Sequence, residues 1–254
     1  MLLRDAAPFD VWAISNYRWT EPFLWIVALA ALFMGMFLFA SYLKTRNKSQ
    51  LLWTFGFLGI FVFYHTLLAS ESLEALAGAF STSMFGLQTA LLLPLIPGLF
   101  AAGLCYDKDE KLGKSYTIFT IIFSLGYLIM QLMGNTGVVP KYDLIATIFL
   151  ILVQLISAII IIALPLKKEG SLFPKNLLTI GGIFMLATNI MMSIQMITAT
   201  YSGGLRAADG GTLDIMFAII PFFITIYILC FIYAIFGTKE FGFEIPHVEF
   251  EEEK

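Results

Sequence analysis

The 15 Lys and Arg residues and the 18 Asp and Glu residues of this chain all lie outside seven long apolar stretches. About 20 mostly apolar residues carry a helix across roughly 30 Å of hydrocarbon. The stretches are Phe23–Leu43, Leu51–Ala69, Met84–Tyr106, Ser115–Gly134, Leu144–Leu166, Leu177–Thr200 and Ile215–Gly237. Inside a bilayer every backbone polar group needs a partner within the protein, so such stretches form helices. The expectation is an all-α, polytopic membrane protein: a seven-transmembrane helix bundle and a single domain spanning 1–254.

The same distribution sets an expected orientation. Lys44, Arg46, Lys48, Lys108, Lys111, Lys114, Lys167, Lys168, Lys175, Lys239 and Lys254 fall on one side, and only Arg4, Arg18, Lys141 and Arg206 on the other. Cytoplasmic loops collect Lys and Arg, which predicts a cell-membrane protein with its N-terminus outside and its C-terminus cytoplasmic. Residues 1–22 carry Phe9, Trp12, Tyr17 and Trp19 and read as an outer interfacial segment, since aromatic rings favour the headgroup level. Residues 238–254 read as a cytoplasmic acidic tail, a site for a cytoplasmic or membrane protein partner. A net charge of −3 gives no basis for nucleic-acid binding.

Two segments resemble each other. ASYLKTRNKSQLLWTFGFLGIF (Ala40–Phe61) and ALPLKKEGSLFPKNLLTIGGIF (Ala163–Phe184) each run from one span through a basic loop into the next. They suggest two parallel three-helix units joined by the fourth span, a 3+1+3 plan. Parallel repeats of this kind build transporters, among them the SWEET proteins, although the Pro-Gln dipeptide expected of those carriers is absent. Pro94 and Pro97 in the third span and Pro221 in the seventh predict kinks, because proline removes an amide donor from the helix.

The interior lacks the groups that catalysis requires. Acid–base and nucleophilic work needs positioned ionisable side chains, so an enzyme is not expected. Retinal needs a lysine inside the last helix, and that span has none. His65 and His247 lie on opposite sides, which removes bis-histidine haem, and a zinc site needs three or four ligands. No cofactor is expected.

What remains at membrane depth is uncharged and polar. His65, Tyr64, Gln88, Gln131, Asn189 and Gln195 are the candidate ligand-binding residues, with Gln154 near mid-membrane. Hydrogen bonds between helices explain such residues without any ligand. If the helices turn them toward one another, they form an outward-opening cavity for a small neutral or lipid-like ligand. The sequence therefore favours a non-enzymatic sensor, receptor-like protein or accessory subunit working in the lipid bilayer. The alternative is a carrier or channel for a neutral solute on the 3+1+3 plan.

Overall fold

The computed structural model describes residues 17–77, 79–135, 142–166, 172–201 and 212–236. Side chains are described over 25–65, 91–133, 145, 148–165, 176–191 and 222–235. The chain is all-helical over these residues. Its seven helices are α1 (Tyr17–Thr45), α2 (Lys48–Ala77), α3 (Ala79–Lys108), α4 (Glu110–Asn135), α5 (Tyr142–Leu166), α6 (Leu172–Tyr201) and α7 (Thr212–Phe236). The first sixteen residues and the tail after Phe236, read above as an interfacial segment and a partner site, lie outside the described residues.

Among the described residues, four helices are long and apolar enough to cross a membrane: Trp25–Thr45, Leu91–Lys108, Glu110–Met133 and Ile148–Pro165. Asn176–Met191 and Phe222–Ile235 are apolar but shorter within the described residues. The outer surface is apolar as well, with Ile26, Phe33, Ile122, Ile159, Phe222 and Tyr233 all more than half exposed. A contiguous surface of that kind belongs against lipid, and the protein is membrane-embedded.

Several helices outrun their apolar stretches. α1 starts at Tyr17 rather than Phe23, and α2 continues past Ala69 to Ala77, taking Glu71 and Glu74 into the helix. Hydrophobicity marks where a helix crosses lipid, whereas backbone hydrogen bonding continues beyond it.

The α1–α2 and α3–α4 turns at the basic end are short and capped. α1 ends on Arg46 in the left-handed conformation (φ 57°), whose amide donates to the Tyr42 carbonyl at 2.7 Å. Asn47 caps α2, its Oδ1 accepting the Ser49 amide at 2.9 Å. Between α3 and α4 stands Asp109 alone, whose carboxylate accepts the Leu112 amide at 2.8 Å. Lys48 at the start of α2 and Lys114 both pair with Glu110 in the first turn of α4. The Glu110 carboxylate holds the Lys48 ammonium above the usual lysine range.

Helix contacts define the architecture. α1 packs on α2, α2 on α3, α3 on α5, α5 on α6, α6 on α7, and α7 back on α1. These six helices close a ring, and α4 packs on its outside against α3 and α5.

Many buried positions in the three helices before α4 recur at one spacing per helix pair in the three helices after it. Val27, Ala31, Met34, Gly35 and Leu38 of α1 are buried, as are Leu150, Gln154, Ser157, Ala158 and Ile161 of α5, every pair the same number of residues apart. The exposed positions follow at that spacing, with Leu29, Phe33 and Met36 matching Leu152, Ile156 and Ile159. In α2 and α6, Trp53, Gly56, Phe57, Ile60 and Tyr64 match Leu178, Gly181, Gly182, Met185 and Asn189. In α3 and α7, Leu93, Ile96, Phe100 and Gly103 match Ile224, Tyr227, Phe231 and Ala234. The register differs from the sequence alignment, which sets Gly59 on Gly182; packing sets Phe57 there, because the second basic loop is longer.

One difference has a plain cause. Gly98 and Ala102 of α3 are buried, while their counterparts Leu229 and Tyr233 are exposed. α4 covers that face of α3, with Thr120 against Gly98.

Candidate functional site

A cavity lies inside the ring, about midway along the helices. Ile60, Phe63 and Tyr64 of α2 line one side, and Leu93, Ile96 and Pro97 of α3 the next. Gln154 of α5, Met185, Thr188 and Asn189 of α6, and Ile224 and Tyr227 of α7 complete it. About 50 Å³ is open to the centre of a water-sized sphere. Roughly 10–15 Å³ on that measure holds one water, so the space suits a few waters or a compact solute.

Gln154 is explained from the backbone upward. Pro97 has no amide hydrogen, so the carbonyl four residues earlier, that of Leu93, loses its helical partner. Gln154 Nε2 donates to that carbonyl across a long 3.5 Å. Its Oε1 is buried and unpaired. The side chain is therefore a cap for the proline helix with one acceptor left over. Neighbouring helices commonly supply such repairs in membranes.

Asn189 is 8% exposed and its Nδ2 is buried without a partner. Thr188 is satisfied, donating to the Phe184 carbonyl at 2.8 Å. A buried polar atom left unpaired costs about 1–3 kcal/mol. Both residues line the cavity, and both unpaired atoms are themselves buried.

Toward the basic end, beyond the lining residues of α2, α3 and α7, lies a buried aromatic cluster. Trp53, Phe57, Phe100 and Phe231 are each at most 2% exposed. Ring centroids stand 5.5 Å apart for Trp53–Phe100, 5.0 Å for Phe57–Phe100 and 5.1 Å for Phe100–Phe231. Trp53 Nε1 donates to the Phe100 carbonyl at 3.2 Å. The rings seat on glycines: Trp53 against Gly103, Phe100 against Gly56, and Phe231 against Gly181.

Of the residues singled out from sequence, the structure brings Tyr64 and Asn189 to the cavity. His65 is exposed, its ring edge-on to Trp25 at 6.0 Å and 5.4 Å from Phe61, outside the cavity wall. Gln131 is half-buried on α4 and is not among the lining residues. The side chains of Gln88 and Gln195 lie outside the described residues. Sequence reasoning missed Thr188 and Tyr227. Thr188 had a signal, since it adjoins Asn189 in the same polar patch. Tyr227 had none, because an aromatic residue in an apolar helix is ordinary core. Among the described residues no cluster of His, Cys, Asp and Glu converges on a metal site. The chain matches no family model, no curated protein and no solved structure.

Proposed function

We propose that this protein is a multi-pass carrier for a small neutral solute, with its substrate site in the central cavity. In this reading all seven helices cross the cell membrane, with the N-terminus outside and the basic end cytoplasmic. The halves α1–α3 and α5–α7 are a parallel repeat joined by α4.

The observation that carries this reading is the lining of the cavity. Ile60, Phe63 and Tyr64 occupy the positions in the first half that Met185, Thr188 and Asn189 occupy in the second. Leu93 and Ile96 stand in the same relation to Ile224 and Tyr227. Both halves thus present one helix face to one site. Carriers built from repeats bind at such an interface near the midplane and change access by rocking one half against the other. Phe100 and Phe231, also equivalent, touch each other at 5.1 Å. Equivalent residues that meet in this way mark an axis between the halves, and that axis runs between the two rings. The prolines do not follow the register, since Pro94 and Pro97 align with Thr225 and Ile228 and not with Pro221. The repeat therefore rests on packing and not on shared kinks.

A neutral solute follows from the wall, which carries hydroxyls and amides and no ionisable carboxylate or amine. An ion entering it would lose hydration without a counter-charge.

The second reading, a receptor-like sensor or accessory subunit, is favoured by the buried aromatic cluster packed between the cavity and the basic end. The test is uptake of neutral solutes into liposomes holding the purified protein. Saturable uptake supports the carrier. A bound ligand seen by native mass spectrometry, with liposomes tight to every solute, returns the assignment to the sensor.

A further inference from the structure

We propose that the basic end of the bundle is a binding surface for the headgroup of an anionic phospholipid. The protein is membrane-embedded, and the α1–α2 and α3–α4 turns stand where its apolar helices end, at headgroup level. The Lys48–Glu110 ion pair joins the two turns into one surface. That surface exposes Lys44, Arg46, Lys48, Lys108, Lys111 and Lys114. Six cations face three carboxylates, Asp107, Asp109 and Glu110, which leaves an excess of three positive charges. The carboxylates are also engaged within the protein: Asp109 accepts the Leu112 amide, and Glu110 is shared by the Lys48 and Lys114 ammonium groups. Clustered Lys and Arg beside a spanning helix attract anionic lipid.

Backbone strain sets Arg46 apart from an ordinary solvated charge. It holds the left-handed conformation (φ 57°) that ends α1, a position glycine fills without strain. An arginine there costs backbone energy and sets a guanidinium at the membrane surface, 5.9 Å from the centre of the Tyr42 ring. The Lys48 ammonium stands 5.9 Å from the Tyr106 ring. Such rings favour the headgroup level. Below the cations the surface is apolar. Lys111 and Lys114 share one face of α4 with Ile118, Ile122, Leu125 and Ile129, all of them exposed. Lys48 stands two turns from the exposed Phe55 on the same face of α2. Cations at the head of apolar helix faces match an amphiphile, with its phosphate above and its acyl chains below. A soluble phosphate ester would use the cations and leave the apolar stripe unmatched.

The test is native mass spectrometry of the full chain in detergent, titrated with phosphatidylglycerol or phosphatidylcholine of identical acyl chains. Phosphatidylglycerol is expected to bind at least about fivefold more tightly, and its advantage to shrink in high salt. Arg46→Gly is expected to weaken phosphatidylglycerol binding about fivefold, the contribution of one basic residue near the headgroups. Its thermal midpoint is expected to hold or rise, because glycine relieves the left-handed backbone. Glu110→Gln releases Lys48 and Lys114 and is expected to tighten phosphatidylglycerol binding, the opposite of what a merely loosened fold would give. Equal affinity for the two lipids, a preference unchanged in both variants, or displacement of the lipid by equimolar glycerol phosphate overturns the assignment.

Discussion

At the scale of single residues, helix rotation decides what the sequence leaves open. Tyr64 and His65 are neighbours at the same depth, and hydropathy treats them alike. Consecutive residues on a helix point about 100° apart, so one enters the cavity wall and the other leaves it. His65 is the more conspicuous residue chemically, yet it stands exposed among Trp25 and Phe61. His65→Ala is accordingly expected to leave solute uptake unchanged in liposomes. The glycines make a sharper pair. A Cβ at Gly103 would collide with the Trp53 ring, whereas one at Gly126 would meet nothing within 4 Å. Gly103→Ala is expected to destabilise by about 1–3 kcal/mol in detergent unfolding titrations, the usual cost of overpacking. Gly126→Ala is expected to be neutral or stabilising by up to about 1 kcal/mol, because alanine is the better helix former.

At the scale of elements, Pro97 and Gln154 act as one unit across α3 and α5. Gln154→Leu leaves the Leu93 carbonyl unpaired and is expected to cost about 1–3 kcal/mol. Pro97→Ala restores the amide that carbonyl would otherwise bond. In that background the cost of Gln154→Leu is expected to fall, giving a coupling of at least about 0.5 kcal/mol in a double-mutant cycle. Additive costs would mean that Gln154 does not serve the proline. At the basic end, Glu110 ties the start of α4 to the start of α2 through Lys48. Both partners are exposed, so the pair is screened by salt. Glu110→Gln is expected to lower the thermal midpoint slightly at low ionic strength, and by less in high salt.

The helices themselves were legible because lipid imposes long charge-free stretches, and the charges gathered in the turns. Their ends were less so, since α2 carries Glu71 and Glu74 beyond the apolar run. The cavity was half legible. Tyr64, Gln154 and Asn189 were visible as polar groups at depth, while Tyr227 looked like core, and nothing in a sequence fixes which face of a lipid-solvated helix turns inward.

At the scale of the whole molecule, six helices form a ring around one cavity and the seventh, α4, lies outside it. The likeness proposed between the halves shows in the sequence only around the two basic loops, whose different lengths shift the register of one helix pair against the other. In the carrier proposed here, two like-oriented halves share one site, and rocking one against the other exposes it to each face in turn. The direct measurement uses single cysteines, Tyr64→Cys and its counterpart Asn189→Cys, in a background lacking Cys105 and Cys230. A membrane-impermeant thiol reagent is applied to either face of oriented vesicles. Both positions are expected to react, at comparable rates, and from both faces. Labelling of only one position, or of both from a single face, would rule out a shared site open to each face in turn.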